Sequence, residues 1–402
     1  MLPSTIQRTA SRLTLTIAHT LRPVRKACFS ADSRMPQIPS KVSVAVLDDY
    51  AGTSRTYLEA LGPEFTFESF PDTLPPYNHA DTTSDTKKQI VDRLEPFTVI
   101  SSMRERTPFP RELLQQLPNL RLLLTTATRN LGIDMVAAKE LDITVTGTMH
   151  KSPPGTKSRP TKRKGPDSTT QHAVALILGI AKNLARDDKA VKGGRWQSGL
   201  STGLTGKTLG LLGLGRLGMA VAKIMYAAFG MKIIAWSSSL TQEAADEKAR
   251  AAGLPIEDED GDKTFQVVSK ADLFKNADVL SLHYVLSDRS RGIVGAAELQ
   301  MMKKSAFFVN TSRGPLVDED ALVQCLSTGK IRGAALDVFA LEPLPLDSPW
   351  RTTKWGEDGR SEVLLTPHTG YVDEETLNNW YYEQSEILKS WRDGRELENV
   401  IN

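Results

Sequence analysis

The segment Leu209-Gly-Leu-Leu-Gly-Leu-Gly-Arg-Leu-Gly218 joins a short apolar strand to a glycine-rich turn and the start of a helix, predicted over 216–229. Gly213 permits a tight turn, Gly215 lets a ligand approach the backbone, and Gly218 lets the helix pack closely on the strand. The free N–H groups at the start of a helix attract phosphate. The arrangement therefore predicts a site for the pyrophosphate of a dinucleotide.

Alternating strands and helices extend on both sides of this turn, which predicts parallel sheets in an α/β fold. We expect the segment between the first two strands, with Pro71, Pro75 and Pro76, to be mostly loop. The expected strands are Val42–Asp48, Val99–Ile100, Leu122–Thr126, 208–212, 232–236, 278–282, 306–309, 333–337 and 363–366. The expected helices are Arg111–Leu117, Ala173–Ala185, 216–229 and 241–252.

The strand at 232–236 ends at Trp236 and is followed by Ser237-Ser238-Ser239. At this position, about 20 residues after the glycine turn, an acid normally bonds the adenosine ribose of NAD. A carboxylate there would repel the 2′-phosphate of NADP, whereas serines donate hydrogen bonds to it. No arginine follows to bind that phosphate, although Arg216 lies in the glycine turn. The expected cofactor is therefore NAD or NADP, with NADP slightly favoured.

Three later segments each place an ionisable side chain directly after a predicted strand. The guanidinium of Arg313 offers a fork of N–H donors that suits the carboxylate and carbonyl oxygens of a 2-keto acid. His368 is a natural donor of the proton that the alkoxide needs when a hydride arrives. Glu342 is the better candidate for fixing the tautomer of His368. Each residue alone favours a structural role, but the three together predict a hydride-transfer site.

The glycine turn and three further segments resemble the D-isomer-specific 2-hydroxyacid dehydrogenase family. These segments are Val309-Asn-Thr-Ser-Arg-Gly-Pro-Leu-Val317, Ala335-Leu-Asp-Val-Phe339 and Thr366-Pro-His-Thr-Gly370. The resemblance covers about residues 42–402, and the family includes glyoxylate/hydroxypyruvate reductases. Phosphoglycerate dehydrogenases are also similar, but the 34 residues after His368 leave no room for the regulatory domain that many of them carry.

The resemblance implies two doubly wound domains, a Rossmann dinucleotide-binding domain inserted into a flavodoxin-like substrate domain. The expected substrate domain comprises 42–149 and 369–402, and the expected NAD(P)-binding domain comprises 168–368. Family members pair through the dinucleotide domain. Because the helix at Ala173–Ala185 is apolar on nearly all sides, we also expect a homodimer.

Residue roles follow from the resemblance. Arg313 holds the substrate, His368 is the general acid/base and Glu342 orients it. The residues expected at the cofactor are Gly213, Gly215, Arg216, Leu217, Gly218, Ser237, Ser238, His283, Thr311, Asp337 and Gly370. Those expected at the substrate are Arg104, Ala127 and Thr128.

Two departures from the family pattern affect these expectations. Ala127 replaces the usual glycine of the loop that holds the substrate carboxylate, which narrows the site or shifts the loop. Gln171 replaces the glutamate with which many relatives begin the helix between the domains.

Composition limits the partners of the chain. Its 402 residues include 50 basic and 48 acidic side chains, a formal net charge of +2. This balance gives no electrostatic basis for binding nucleic acid or a membrane surface, and the apolar segments are too short to span a bilayer. The chain has two cysteines, Cys28 and Cys325, which lie far apart and do not predict a disulfide framework. The sequence has no cluster of cysteine and histidine that would predict a metal site.

Two basic segments interrupt the α/β pattern. Residues 1–41 form a leader whose first 34 residues contain six basic side chains and one acid, Asp32. This composition is typical of a mitochondrial transit peptide, so we expect the matrix. The alternatives are a leader without an address or a true start at Met35, either of which leaves the protein in the cytoplasm. Residues 150–167 are basic and rich in proline and glycine, which predicts a surface insertion.

Two further functions stay open. Cofactor-sensing transcriptional corepressors share this fold and can keep the catalytic trio, and the basic insertion favours them. A formate dehydrogenase is less favoured, because those enzymes have glutamine where this chain has the Glu342/His368 pair. The expected function is therefore transfer of a hydride between NAD(P)H and a small 2-keto acid, and a corepressor-like binding protein is the alternative.

Overall fold

The computed structural model describes residues 41–155 and 165–402. Most of the predicted leader 1–41, and the centre of the predicted insertion 150–167, lie outside these residues. None of the helices within the described ranges has the length and apolar character that crossing a bilayer requires.

The first sheet contains five parallel strands. They are β1 (Val42–Leu47), β2 (Phe65–Phe70), β3 (Val99–Ser102), β4 (Leu122–Thr125) and β5 (Thr144–Thr146). Their order across the sheet is β2-β1-β3-β4-β5, the doubly wound order of flavodoxin-like folds. The strand order reverses between β1 and β3.

The second sheet contains seven parallel strands. They are β6 (Thr208–Leu212), β7 (Lys232–Trp236), β8 (Phe265–Val267), β9 (Val279–Leu282), β10 (Phe307–Asn310), β11 (Gly333–Leu336) and β12 (Glu362–Leu365). The order is β12-β11-β10-β9-β6-β7-β8, so the reversal lies between β6 and β9, as in Rossmann folds. The two parallel sheets confirm the predicted α/β fold class.

Helices connect the strands in both sheets. They are α1 (Arg55–Leu58), α2 (Ser84–Leu94), α3 (Arg111–Leu114), α4 (Met135–Glu140), α5 (Ser168–Ala181), α6 (Leu184–Lys192), α7 (Arg216–Phe229), α8 (Gln242–Ala251), α9 (Lys270–Asn276), α10 (Ala296–Met301), α11 (Glu319–Ser327), α12 (Pro349–Thr352) and α13 (Glu374–Arg392). The predicted helix over 216–229 is confirmed in type and in both bounds.

Several predicted boundaries are wrong. The expected loop after β1 contains β2 and α2, and α3 ends at Leu114 rather than Leu117. The expected helix Ala173–Ala185 is two helices, because Asn183 adopts a left-handed φ of 55° between α5 and α6.

The long apolar helix α5 is buried within the chain itself. It packs against β10, β11, β12 and α7, and Ile177, Ile180 and Ala181 belong to the core of the second sheet. The apolar character of this helix is therefore satisfied without a partner subunit.

The C-terminal segment returns to the first sheet. Helix α13 packs against α1, and the Ser101 hydroxyl at the end of β3 donates to Gln384 Oε1 at 2.6 Å. Val400 then pairs with Thr146 at the edge of β5. The chain thus forms a first lobe around β1–β5 and α13, and a second lobe around β6–β12. Ligands of such sheets bind at the carboxyl ends of the strands, near the points where the order reverses.

Candidate active site

The glycine turn at the end of β6 has the shape that a dinucleotide requires. Gly213 has a φ of 102°, and Gly215 caps the N-terminus of α7. A Cβ on Gly218 would lie 2.2 Å from the carbonyl oxygen of Gly213, so only glycine fits there. A Cβ on Gly215 would meet nothing within 4 Å, which leaves the backbone open to a phosphate. The turn therefore fits a dinucleotide.

The tip of β7 lies beside an aromatic pair. The rings of Trp236 and Tyr284 stack with centroids 6.2 Å apart, and the Ser238 hydroxyl lies 3.0 Å from the Tyr284 hydroxyl. Arg216, expected near a cofactor phosphate, instead pairs with Asp167 at the start of α5, and its side chain is 74% exposed. The guanidinium of Arg216 is therefore already paired with a carboxylate of the chain.

Glu342 and His368 form the central pair of the site. His368 Nδ1 lies 2.6 Å from Glu342 Oε2, and Glu342 Oε1 accepts from the backbone N–H of Phe339 at 2.9 Å. The carboxylate accepts a hydrogen bond from the N–H group at Nδ1, which leaves Nε2 to exchange a proton with a ligand. His368 has a φ of 53°, a left-handed backbone conformation that residues other than glycine rarely adopt. The loop after β12 therefore holds His368 in a strained, fixed position.

Asp337, at the end of β11, anchors that loop. The backbone N–H groups of Thr369 and Gly370 donate to its two oxygens at 2.9 and 3.0 Å. Burial opposes ionisation, but hydrogen bonds from His172, Thr366 and the Thr369 backbone lower the pKa of Asp337 below its ordinary value.

Asp337 itself is 1% exposed. Gly370 is buried as well, and neither residue contributes to the walls of the cavity that contains His368. The predicted contact of Asp337 with the cofactor stays a prediction.

Arg313, after β10, faces the other lobe. Its Nη2 lies 3.6 Å from Glu105 Oε2, and the same carboxylate lies 3.5 Å from Arg104 Nε. Glu105 and Arg104 follow β3 in the first lobe, so the ion pair joins the two lobes. Both arginines predicted to hold substrate therefore share one carboxylate of the chain.

A cavity of about 590 Å³ at the carboxyl ends of both sheets brings the predicted catalytic residues together. Its walls include Arg313, Glu342 and His368, together with the predicted ligand-binding residues Arg104, Leu217, His283 and Thr311. The walls do not include Ala127, which is buried, or Thr128, which is exposed. The structure therefore does not bring the predicted carboxylate loop to the cavity.

His283, after β9, is held beside the glycine turn. Its Nε2 lies 2.9 Å from the Ser281 hydroxyl. A Cβ on Gly213 would lie 2.6 Å from the carbonyl oxygen of His283. Burial lowers the pKa of His283 to about 4, so the ring is neutral at physiological pH.

The sequence analysis does not identify two residues of the cleft, Arg106 and Tyr371. The Arg106 guanidinium lies 5.8 Å from the Tyr371 ring centroid and 5.4 Å from that of Tyr50. Burial raises the pKa of Tyr371 to about 12. Arg106 follows Arg104 by two residues, as the second basic residue of the Met103-Arg-Glu-Arg106 segment, and this spacing was the available signal.

Comparisons with known proteins identify the family of this chain. Residues 174–370 match the family model described as "D-isomer specific 2-hydroxyacid dehydrogenase, NAD binding domain". A glyoxylate reductase of Aeropyrum pernix is 36% identical over 72% of this chain and 79% of its own length. A glyoxylate/hydroxypyruvate reductase B of Enterobacter is 31% identical over 72% of this chain and 80% of its own length. The crystal structure of a phosphoglycerate oxidoreductase from Vibrio cholerae superposes with a TM-score of 0.70 at 30% identity, covering 88% of this chain and 99% of that one.

Proposed function

The chain belongs to the D-isomer-specific 2-hydroxyacid dehydrogenase family, and we propose that it transfers a hydride between NAD(P)H and a small 2-keto acid, forming a D-2-hydroxy acid. The observation that carries this proposal is the Glu342/His368 pair, which shares one cavity with Arg313 beside a glycine turn that fits a dinucleotide. The relatives named glyoxylate reductase and glyoxylate/hydroxypyruvate reductase support a small keto acid as the substrate.

The bound dinucleotide supplies the hydride, and the chain supplies the proton and the orientation. Protonated His368 donates from Nε2 to the carbonyl oxygen of the substrate as that oxygen gains charge. Glu342 holds the ring in place through Nδ1 and offsets the positive charge of the protonated ring. In the reverse direction, neutral His368 accepts the hydroxyl proton.

Arg313 orients the substrate. Its guanidinium presents parallel N–H donors to the carboxylate and the carbonyl oxygen, which fixes the carbonyl beside His368. For this to happen, the substrate must replace Glu105 as the partner of Arg313, since the two now lie 3.6 Å apart.

The proposal is tested by initial rates of NADH and NADPH oxidation with glyoxylate, hydroxypyruvate and pyruvate. We expect turnover with at least one of these acids. A protein that binds the cofactor but reduces none of them would contradict the proposal and would favour the corepressor-like alternative.

The cofactor is proposed to be NAD or NADP, with a modest preference for NADPH. Ser237 and Ser238 stand at the end of β7, where an NAD-specific site normally presents an acid. Without an acid at this position, no carboxylate repels the 2′-phosphate of NADP. Arg216 adds no attraction for that phosphate, because it is engaged by Asp167. The site should therefore accept both cofactors. We expect Ser237→Asp to shift the kcat/KM ratio toward NADH by about tenfold, because the new carboxylate repels the 2′-phosphate. An unchanged ratio would show that Ser237 does not select the cofactor.

A homodimer and a mitochondrial location are also proposed. Met149, Leu184, Val191, Trp196 and Leu200 are large apolar side chains that are more than half exposed. Leu184 and Val191 lie on α6, Met149 precedes α5, and Trp196 and Leu200 follow α6. Exposed apolar side chains that gather in one patch are typical of a subunit interface. Light scattering at micromolar concentration tests the dimer.

Import of a fluorescent fusion with and without residues 1–34 tests the matrix location against the cytoplasm.

A further inference from the structure

A second cavity, of about 640 Å³, lies against the Glu342/His368 pair and has no role in the chemistry described above. We will call it the side chamber. Six apolar residues contribute to its walls: Phe339, Pro343, Leu344, Trp350, Leu365 and Pro367. The volume falls within the range of roughly 300–1,000 Å³ that small-molecule sites occupy.

The side chamber adjoins the catalytic cavity. Arg106, Phe339, Glu342 and His368 appear in the walls of both cavities. Because His368 lines both cavities, the substituent of a molecule whose carbonyl group lies at His368 lies next to the side chamber.

The polar groups next to the catalytic pair already have partners within the chain. Both oxygens of Glu342 are engaged, by the backbone N–H of Phe339 and by His368. The Thr366 hydroxyl donates to Asp337 at 2.6 Å. Of these residues, His368 therefore offers its Nε2 to the keto acid group of a ligand.

Thr73, Arg106 and Arg351, in the remaining wall, each make a hydrogen bond within the chain. The Thr73 hydroxyl donates to Asp48. Arg351 Nε donates to the carbonyl oxygen of Leu344 at 3.1 Å, and Arg106 Nη2 donates to that of His368 at 3.4 Å. An occupant gains from burying apolar surface against the six apolar wall residues.

From this geometry we infer that the side chamber binds the apolar substituent of a bulky 2-keto acid, branched or aromatic, while the keto acid group lies at Arg313 and His368. The inference rests on the proposed function and extends its substrate class from small 2-keto acids to those with a bulky substituent. Glyoxylate and pyruvate leave the side chamber empty, whereas phenylpyruvate and 4-methyl-2-oxopentanoate fill part of it. One methylene group in an apolar pocket changes kcat/KM by roughly 10- to 200-fold.

The test compares phenylpyruvate and pyruvate as substrates of the full-length protein at saturating cofactor. We expect kcat/KM for phenylpyruvate to exceed that for pyruvate by at least about tenfold. Leu344→Trp fills the side chamber, so it should lower kcat/KM for phenylpyruvate at least about tenfold while that for pyruvate stays within about twofold. The matched control is Leu346→Trp, because Leu346 is 87% exposed two residues further on and should affect neither substrate.

The outcomes separate this inference from the proposed function. Reduction of pyruvate without a preference for phenylpyruvate would overturn the side chamber and leave the proposed function standing, whereas reduction of neither would contradict the function itself. If Leu344→Trp fails to fold, Leu365→Phe fills the same chamber from β12. A filled variant that keeps its pyruvate rate and also keeps its phenylpyruvate rate would overturn the inference.

Discussion

The two ends of the catalytic cavity are built differently. At one end, His368 and Glu342 lie 2.6 Å apart within the second lobe, and Asp337 anchors their loop. At the other end, Arg313 lies 3.6 Å from Glu105, across the gap between the lobes. The proton-transfer pair is therefore complete before substrate binds, whereas the anion-binding end must exchange its partner. We therefore expect substitutions at the His368 end to lower turnover strongly. Substitutions at the Arg313 end should change substrate affinity by smaller factors.

The largest effect is expected at the prebuilt end. His368→Gln should lower kcat at least about 100-fold, which is the size expected for loss of general acid catalysis. Cofactor affinity, measured by quenching of protein fluorescence, should change little, because the glycine turn lies after β6. Near-normal turnover in this variant would remove His368 from the mechanism.

The second histidine of the cavity, His283, should act on stability instead. Its pKa of about 4 in the folded protein lies below the ordinary value of 6.5. The unfolded chain therefore binds a proton first as pH falls, and stability is lost between pH 6.5 and 4. Wild type should lose about 2 kcal/mol more than His283→Gln between pH 7 and 4.5, roughly a 30-fold change in the unfolding equilibrium. Urea unfolding at both pH values measures this, and equal losses would contradict the assignment.

The anion-binding end is probed first through Arg313. Arg313→Lys should raise KM for the keto acid about tenfold and lower kcat as well, because an ammonium cannot reproduce the bidentate fork. Arg360→Lys, at a surface pair with Asp358, is the matched control and should leave both constants unchanged. Loss of cofactor binding with intact substrate kinetics would give Arg313 another role.

The smallest effect is expected from the internal carboxylate. Glu105→Gln should lower KM for the keto acid about threefold without changing kcat, since partly exposed ion pairs contribute at most about 1 kcal/mol. Glu59→Gln, in a surface pair with Arg55 on α1, is the matched control. A raised KM would show that Glu105 positions Arg313 rather than competing with the substrate.

The same contrast separates what the sequence predicted from what it did not. Gly213, Gly215 and Gly218 have fixed spacing within one strand, turn and helix, so local rules sufficed for the glycine turn. Glu342 and His368 each follow a strand of one parallel sheet, and neighbouring strands bring their ends together. Local order and sheet topology therefore made this part of the site predictable.

The pairing of Arg313 with Glu105 and the burial of Ala127 were not predictable in the same way. Each depends on how loops of the first lobe lie, and on the position of one lobe against the other. No periodicity in the sequence encodes those positions. Arg216 was assigned to the cofactor because it lies in the glycine turn, but Asp167, 49 residues earlier, pairs with it in the fold.

The most direct test of the proposed reaction is the configuration of the product formed from pyruvate, measured by chiral chromatography alongside NADH or NADPH oxidation. We expect D-lactate alone, with one molecule formed for each molecule of cofactor oxidised. Formation of L-lactate, or cofactor oxidation without lactate, would contradict it.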